Sequence, residues 1–323
     1  MNESLQRICW VFPDRESGRQ GALWKRVFWD AYQKVAAELG MSFTIHAPDA
    51  IAVDGLRAGE PRVYVDGDEV TPHDTAFITA LYSLPYHTMD VFNQYAIYAV
   101  LEQAGFYLPT PPWLSAIVND KLATNLFLAG APIPTIPTVR IGCGRDIQHR
   151  LYEPVLDGLT FPAIVKPAGW ASGWGVCLAR SVEDLRGLVS LAQGGETTLV
   201  CQPYLGAGTS DYRLYVIDGK VEAVLVRRPT GDAPCSSGSR GGTMRFVPLP
   251  DELAATVDWF AQRIPTPYFC VDFLHDGERF WLSEIETDGA IAPDDNTVQH
   301  DLIAARFSAY RRAHAAWREA RHA

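Results

Sequence analysis

The sequence predicts a mixed helix and sheet protein, α/β in its first third and α+β overall. Three observations carry this expectation. Short apolar runs alternate with stretches of helical spacing up to about residue 105, the pattern of a doubly wound α/β unit. Six prolines then crowd between Pro109 and Pro137, which marks a linker. Beyond it, apolar runs pair around Asp-Gly steps, as antiparallel hairpins do. With 323 residues and ~150 per domain, the divisions expected are 1–108, 109–195 and 196–323.

The elements follow in order. Residues 7–13 read as a buried parallel strand, because Ile8-Cys9-Trp10-Val11 has no polar alternation. Leu23, Val27, Trp29, Tyr32, Val35 and Leu39 have helical spacing over 21–39, and Gly40 ends that helix. Strands follow at 42–47 and 74–79, with a hairpin over 62–70 turning at Asp66-Gly67 and a helix over 89–104. One helix is expected in the linker, over 114–129, stopped by Gly130. Then come a strand at 161–166, a Gly/Ser-rich turn at 169–175, a strand at 176–179 and a helix over 181–192 with Ser181 as N-cap. A strand at 198–202 precedes a hairpin over 212–227 around Asp218-Gly219. A helix over 253–263, a hairpin joining 269–274 to 280–286 and an amphipathic helix over 303–320 close the chain.

Lys plus Arg number 28 and Asp plus Glu 38, a net charge of −10. That sign argues against a nucleic-acid partner, which needs basic residues to displace counterions from phosphates. No apolar run approaches the ~18 residues of a membrane span, and the polar start of the chain lacks signal-peptide architecture. A cytoplasmic protein is the expectation. Cys9, Cys143, Cys177, Cys201, Cys235 and Cys270 include no C-x-x-C pair, and the eight histidines do not cluster. Reduced, mostly buried thiols are therefore expected rather than a zinc site.

Two groups of residues point to chemistry. Lys166 ends a buried strand and precedes Gly169-Trp-Ala-Ser-Gly-Trp-Gly175. Glycines let backbone N–H groups approach an anion, and Ser172 adds a hydroxyl. A hairpin turn with a surface lysine would give the same pattern. Asp272, Glu284 and Glu286 stand in otherwise apolar strands, where unpartnered carboxylates are rare. Glu284 and Glu286 share a face by period two. Two such carboxylates repel unless a cation lies between them, and oxygen-only donors suit Mg²⁺ held with substrate phosphates. A solvated face is the alternative, but Phe280 and Leu282 share it by the same period. Arg213, Arg227, Arg228 and Arg240 lie between the two groups in sequence, and arginine is suited to bidentate phosphate or carboxylate contacts.

The order of these motifs resembles the ATP-grasp ligases, in the branch of D-alanine–D-alanine ligases, glutathione synthetase and RimK-like glutamate ligases. The resemblance spans about residues 110 to 292. It runs through Asp120-Lys121, Ile164-Val-Lys-Pro167 with Gly169–Gly175, and Gln202-Pro-Tyr204. It continues through Asp211-Tyr-Arg213, Arg227-Arg228, Arg240-Gly-Gly242, Val271-Asp-Phe273 and Glu284-Ile-Glu286. It implies an ATP-grasp fold behind an N-terminal α/β unit. It also implies an enzyme that activates a carboxylate as an acyl phosphate with ATP and joins it to an amine. Lys121 and Lys166 would contact the phosphates, and Ser172, Gly173 and Gly175 would belong to the loop closing over them. Gln202 and Tyr204 would lie at the adenine hinge, with Asp211 on the ribose and Arg213 in the nucleotide site. Asp272, Glu284 and Glu286 would hold two Mg²⁺, with Mn²⁺ as a substitute. Arg228 or Arg240 would stabilise the tetrahedral oxyanion beside Ser172.

Three departures qualify the resemblance. Glu286 stands where the family usually has Asn, Asp288-Gly-Ala follows in place of Pro-Gly, and Pro203 occupies the hinge. Cys270 also replaces the arginine of D-alanine–D-alanine ligases, which turns the reading toward a specialised amino-acid or peptide ligase. Small amino-acid or peptide substrates are the expected partners, with no nucleic acid and no membrane; a homodimer is open. A RimK-like modifier or macrocyclase of a peptide, and a nucleotide-binding protein without catalysis, are the alternatives. For Asp272 to share a face with Glu284 and Glu286, the sequence reading requires a three-residue loop at 275–277 with Gly277 at positive φ.

Overall fold

The computed structural model describes residues 5–13, 18–57, 59–81, 90–142, 149–229, 242–293 and 297–322. Arg240 and Gly241 lie outside the described residues. In the first third, β1 (Arg7–Val11) lies between β2 (Ser42–His46) and β6 (Thr75–Ile78), parallel to both. An antiparallel ribbon, β3 (Ile51–Asp54), β4 (Arg62–Val65) and β5 (Asp68–Val70), sits beside it. Its turn is Asp66-Gly67, both at positive φ, as a two-residue hairpin requires. β3 is too short and too polar at its end to stand out in the sequence.

The single linker helix is two helices, α4 (Pro112–Asn119) and α5 (Lys121–Phe127). Asp120 is extended between them and caps α5, its Oδ1 accepting the N–H groups of Leu122 and Ala123 at 3.0 Å. The break makes Lys121 the first residue of α5. A second sheet has the order β7 (Val139–Ile141), β10 (Leu199–Pro203), β8 (Ala163–Pro167), β9 (Cys177–Ala179). It is packed under α6 (Val182–Gly194), whose Leu185 and Val189 are fully buried. Because β10 joins it, this sheet crosses the division expected at residue 195.

The largest sheet has five antiparallel strands. Their order is β13 (Thr243–Val247), β12 (Lys220–Arg228), β11 (Ser210–Ile217), β14 (Tyr268–His275), β15 (Phe280–Glu286). One face packs Leu214, Val216, Val224, Val271, Phe273 and Leu282 against Phe260 and Ile264, near α8 (Val257–Arg263). The other face is divided along the strands. Tyr215, Ile217, Leu225 and Cys270 pack against Phe307 and Tyr310 of α9 (Val298–His322) and the β1 sheet. The rest of that face carries charge. No helix among the described residues is long and apolar enough to cross a membrane.

Two β-bulges decide which residues reach the charged face. In β11–β12, Val216 faces Val221 but Tyr215 faces Ala223, so Glu222 is an extra residue. Beyond it, Asp211 faces Arg227 and Arg213 faces Leu225. In β14–β15, Phe273 faces Leu282 but Asp272 faces Glu284, so Ser283 is extra. Facing residues share a side of the sheet, and one added residue flips everything after it. Asp272, Glu284 and Glu286 therefore do share a face, but not through a three-residue loop. His275 faces Phe280, so the loop has four residues, with Gly277 at φ 106. Phe280 and Leu282 are on the opposite, apolar face, contrary to the period-two reading.

Candidate active site

The charged face gathers side chains from four strands. Arg213 Nε and Nη2 donate to the two oxygens of Asp272 at 2.8 and 2.6 Å, and Nη2 lies 2.6 Å from Glu286. Arg227 Nη2 reaches Asp272 and Asp211, each at 2.8 Å. Lys166 Nζ lies 3.5 Å from Glu284 on the facing sheet. Burying this much charge is unfavourable unless it is paired, and here the pairing is close to complete. Burial alone would raise the Asp272 carboxyl, but Arg213 and Arg227 hold it at about 2. Burial raises Asp211 and Glu286, and neighbouring carboxylates add to the rise. Glu284 is instead held low, because Lys121 and Lys166 outweigh its burial. Burial pushes the Lys166 ammonium down, partly offset by Glu284.

The glycine loop stands at the edge of this cluster. Ser172, Gly173 and Gly175 all have positive φ, 59, 71 and 70°. Consecutive turns of this kind aim backbone N–H groups into a concave, anion-accepting surface. Gly175 is required for a second reason: a Cβ there would lie 2.8 Å from the Pro167 ring and 3.1 Å from Trp170. Lys121, placed by the Asp120 break, donates to the Trp170 carbonyl at 2.9 Å and the Ala168 carbonyl at 3.4 Å. It thus ties the base of the loop to α5.

The arrangement sets charged strands opposite a glycine loop across two sheets. Residues 118–305 match the RimK-like ATP-grasp domain, more than half of the chain. The chain belongs to the RimK-like ATP-grasp family.

Relatives and solved structures agree with that placement. A probable alpha-L-glutamate ligase of Thioalkalivibrio sulfidiphilus is 25% identical over 68% of this chain and 70% of its own length. A D-alanine–D-alanine ligase of Parasynechococcus marenigrum is 29% identical over 54% of each. An uncharacterised protein of Mycoplasma pneumoniae, MG011 homolog, is 24% identical, with 58% of its length matched. The chain thus spans about half the length, or less, of several curated relatives it matches. Among solved structures, the D-cycloserine synthetase DcsG superposes with a TM-score of 0.65 at 16% identity, covering 95% of this chain and 99% of that one. The D-alanine–D-alanine ligase of Bacillus anthracis superposes with a TM-score of 0.64 at 14% identity, covering 96% and 99%. At such identities the likeness establishes the ATP-grasp fold.

Within this RimK-like chain the expected site residues divide. Lys121, Lys166, Asp211, Arg213, Asp272, Glu284 and Glu286 come together, with Ser172, Gly173 and Gly175 in the adjoining loop. Arg228 does not join them: it is exposed at the end of β12, and Arg227 takes the inward position. The Glu222 bulge is the reason, since an unbroken register from Asp218-Gly219 would point Arg228 inward. Asp211 pairs with Arg227 rather than standing apart as a ribose contact. Gln202 is buried, and its Nε2 donates to Thr138 Oγ1 at 2.9 Å. Tyr204 is half-buried, and its backbone N–H donates to the Pro162 carbonyl at 3.1 Å.

The donor set suits a hard divalent cation. Asp272 and Glu284 face each other across two strands, Glu286 lies two residues on, and a guanidinium already bridges Asp272 and Glu286 as a stand-in cation. All three donors are oxygen, which favours Mg²⁺ or Mn²⁺ over zinc.

Proposed function

We propose that the protein is an ATP-dependent carboxylate–amine ligase acting on amino-acid or peptide substrates. The observation that carries this reading is the buried cluster of Asp272, Glu284, Glu286, Lys166, Arg213 and Arg227 facing the glycine loop. Asp272, Glu284 and Glu286 would hold Mg²⁺, which when bound draws charge from the phosphoryl group in transfer. Lys121 and Lys166 hold phosphate oxygens, and the backbone of Ser172, Gly173 and Gly175 closes over them. The segment Gln202–Tyr204 lies beside the adenine, with Pro203 leaving fewer backbone donors there. Arg227 takes the oxyanion role in place of Arg228, because its guanidinium faces the site; Arg240, the other residue expected there, lies outside the described residues. The family relationship to glutamate and D-alanine ligases supports a carboxylate and an amine as co-substrates.

Phosphate release from ATP tests the reading, with a panel of amino acids compared against a panel of short peptides. Expected is turnover stimulated by a carboxylate and an amine together, lost in EDTA and restored by Mg²⁺ or Mn²⁺ without zinc. Lys166→Ala should abolish turnover in a protein that still melts cooperatively. Stimulation by peptides alone would favour a peptide modifier. Nucleotide binding with no turnover under any condition would support a binding protein and end the ligase reading.

A further inference from the structure

Both oxygens of Asp272 are occupied by guanidinium. Arg213 takes Oδ1 and Oδ2 at 2.8 and 2.6 Å, and Arg227 shares Oδ2 at 2.8 Å. The same Arg213 Nη2 lies 2.6 Å from Glu286 Oε1. One guanidinium thus bridges two of the three carboxylates assigned to the metal, and the third faces Lys166. Among the described residues no three acidic, histidine or cysteine side chains stand ready to hold one ion. The place between Asp272 and Glu286 is filled by Arg213, whose side chain is 7% exposed.

Charge balance makes this arrangement consequential. Four carboxyl groups, Asp211, Asp272, Glu284 and Glu286, face four cationic ones, Lys121, Lys166, Arg213 and Arg227, and Asp288 beside Glu286 has Arg306 as a further cation, so acidic and basic groups of the cluster are equal in number. A bare dication entering it would break charge-assisted hydrogen bonds and leave excess positive charge in a buried place. A dication arriving with a polyphosphate brings its own anion, and that anion offers the displaced guanidinium a bidentate partner.

We propose that Arg213 is an internal counter-ion occupying the metal's place in the resting protein, and that it yields Asp272 and Glu286 only when a divalent cation arrives with nucleotide. The inference rests on the ligase reading above. It makes metal binding weak without nucleotide and couples the two events. It also accounts for Glu286 in place of asparagine: a carboxylate there completes a charged bridge that an amide would not.

The test is Mn²⁺ binding, read from the free-ion paramagnetic resonance signal. The full chain is measured with and without the non-hydrolysable analogue AMP-PNP as wild type, R213K and R213Q, each first shown to melt cooperatively. The wild type should bind Mn²⁺ weakly alone and tightly with AMP-PNP. R213Q should bind nucleotide-free Mn²⁺ on the order of tenfold more tightly. R213K should fall between, since an ammonium cannot fork across two carboxylates. If R213Q does not fold, ¹⁵N-arginine resonances decide: the Nε–H signal missing from R213K should shift with Mg²⁺ plus AMP-PNP and stay in place with Mg²⁺ alone. Equal nucleotide-free affinity in all the proteins, or an Nε–H signal indifferent to Mg²⁺ plus AMP-PNP, would overturn the exchange and leave the metal site standing. Absence of Mn²⁺ uptake in every protein, even with AMP-PNP, would overturn the metal site and the ligase reading with it.

Discussion

Arg227 and Arg228 are adjacent, carry the same charge and end the same strand, yet only Arg227 reaches Asp211 and Asp272. Its side chain is 15% exposed in these pairs, so water does little to screen them. Removing it leaves two buried carboxylates short of a cation and, on the function proposed above, takes a donor from the reacting centre. Arg227→Ala is therefore expected to lower turnover about 100-fold, whereas Arg228→Ala should stay within a few-fold of wild type. Steady-state phosphate release on the two purified variants checks this. Equal losses would mean that the inward position of Arg227 does not matter to the reaction. The thiol of Cys270, beside Glu286 in the register, has a different fate. Burial pushes it up to about 12, so it is a packed, inert group.

At the scale of the element, the bulges do the selecting. Ser283 is one residue beyond regular pairing; were it paired in an unbroken register, Glu284 and Glu286 would fall on the apolar face with Phe280 and Leu282. Deleting Ser283 removes only the extra residue and leaves Glu284 opposite Asp272 and Glu286 opposite Cys270, so metal-dependent turnover should be retained; loss of turnover in a deletion variant that still melts cooperatively would refute the register argument. The hairpin loop before the bulge is fixed by Asp276. Its Oδ1 accepts the N–H groups of Glu278 and Arg279, and its Oδ2 accepts Trp281 Nε1. Burial is the largest single influence and works against the charge, but these bonds together with Arg279 prevail and hold the carboxyl at about 2, below its ordinary 3.8. A depressed carboxyl stabilises the fold above the unfolded value and loses that contribution as pH falls through the folded one. Asp276→Asn should thus cost about 1 kcal/mol at pH 7, allowing for solvent screening. The difference should shrink below pH 4 and vanish near pH 2. Urea midpoints at these pH values measure it.

Across the whole molecule, Arg306 of α9 joins the first sheet to the last. It is fully buried, donates from Nε to Tyr310 at 2.8 Å and from Nη1 to Tyr32 at 3.2 Å, and lies 3.9 Å from the Tyr268 ring centre. Tyr32, Tyr215 and Tyr268 in turn hold the backbone that follows Glu286, through Ile291 N–H, Ala292 N–H and the Gly289 carbonyl. A guanidinium among aromatic faces, with its core volume, makes Arg306→Ala cost about 3 kcal/mol or more. A urea or thermal transition unchanged by the substitution would show that the two sheets do not depend on this link. Tyr32 comes from the N-terminal third and Glu286 from the far end of the chain, so the strand that carries Glu286 is braced by a part of the molecule remote in sequence.

The sequence by itself determined the alternation of the first third, the hairpins around Asp66-Gly67 and Asp218-Gly219, the cap at Ser181, and the motif order of the ATP-grasp fold. These depend on local backbone chemistry and on short-range apolar periodicity, which a single chain displays directly. Lys166, the glycine loop and the three carboxylates were legible for the same reason: charge and glycine stand out inside apolar strands. Tertiary structure alone decided that Asp120 splits one helix into two, that β10 crosses the division at 195, and that Arg227 rather than Arg228 faces inward. A bulge adds one residue without leaving a sequence signature, because its cause is the fit of a strand against neighbours far away in the chain. The pairing of Arg213 with both Asp272 and Glu286 is of that kind as well, since it needs three strands in register before any of the charges meet.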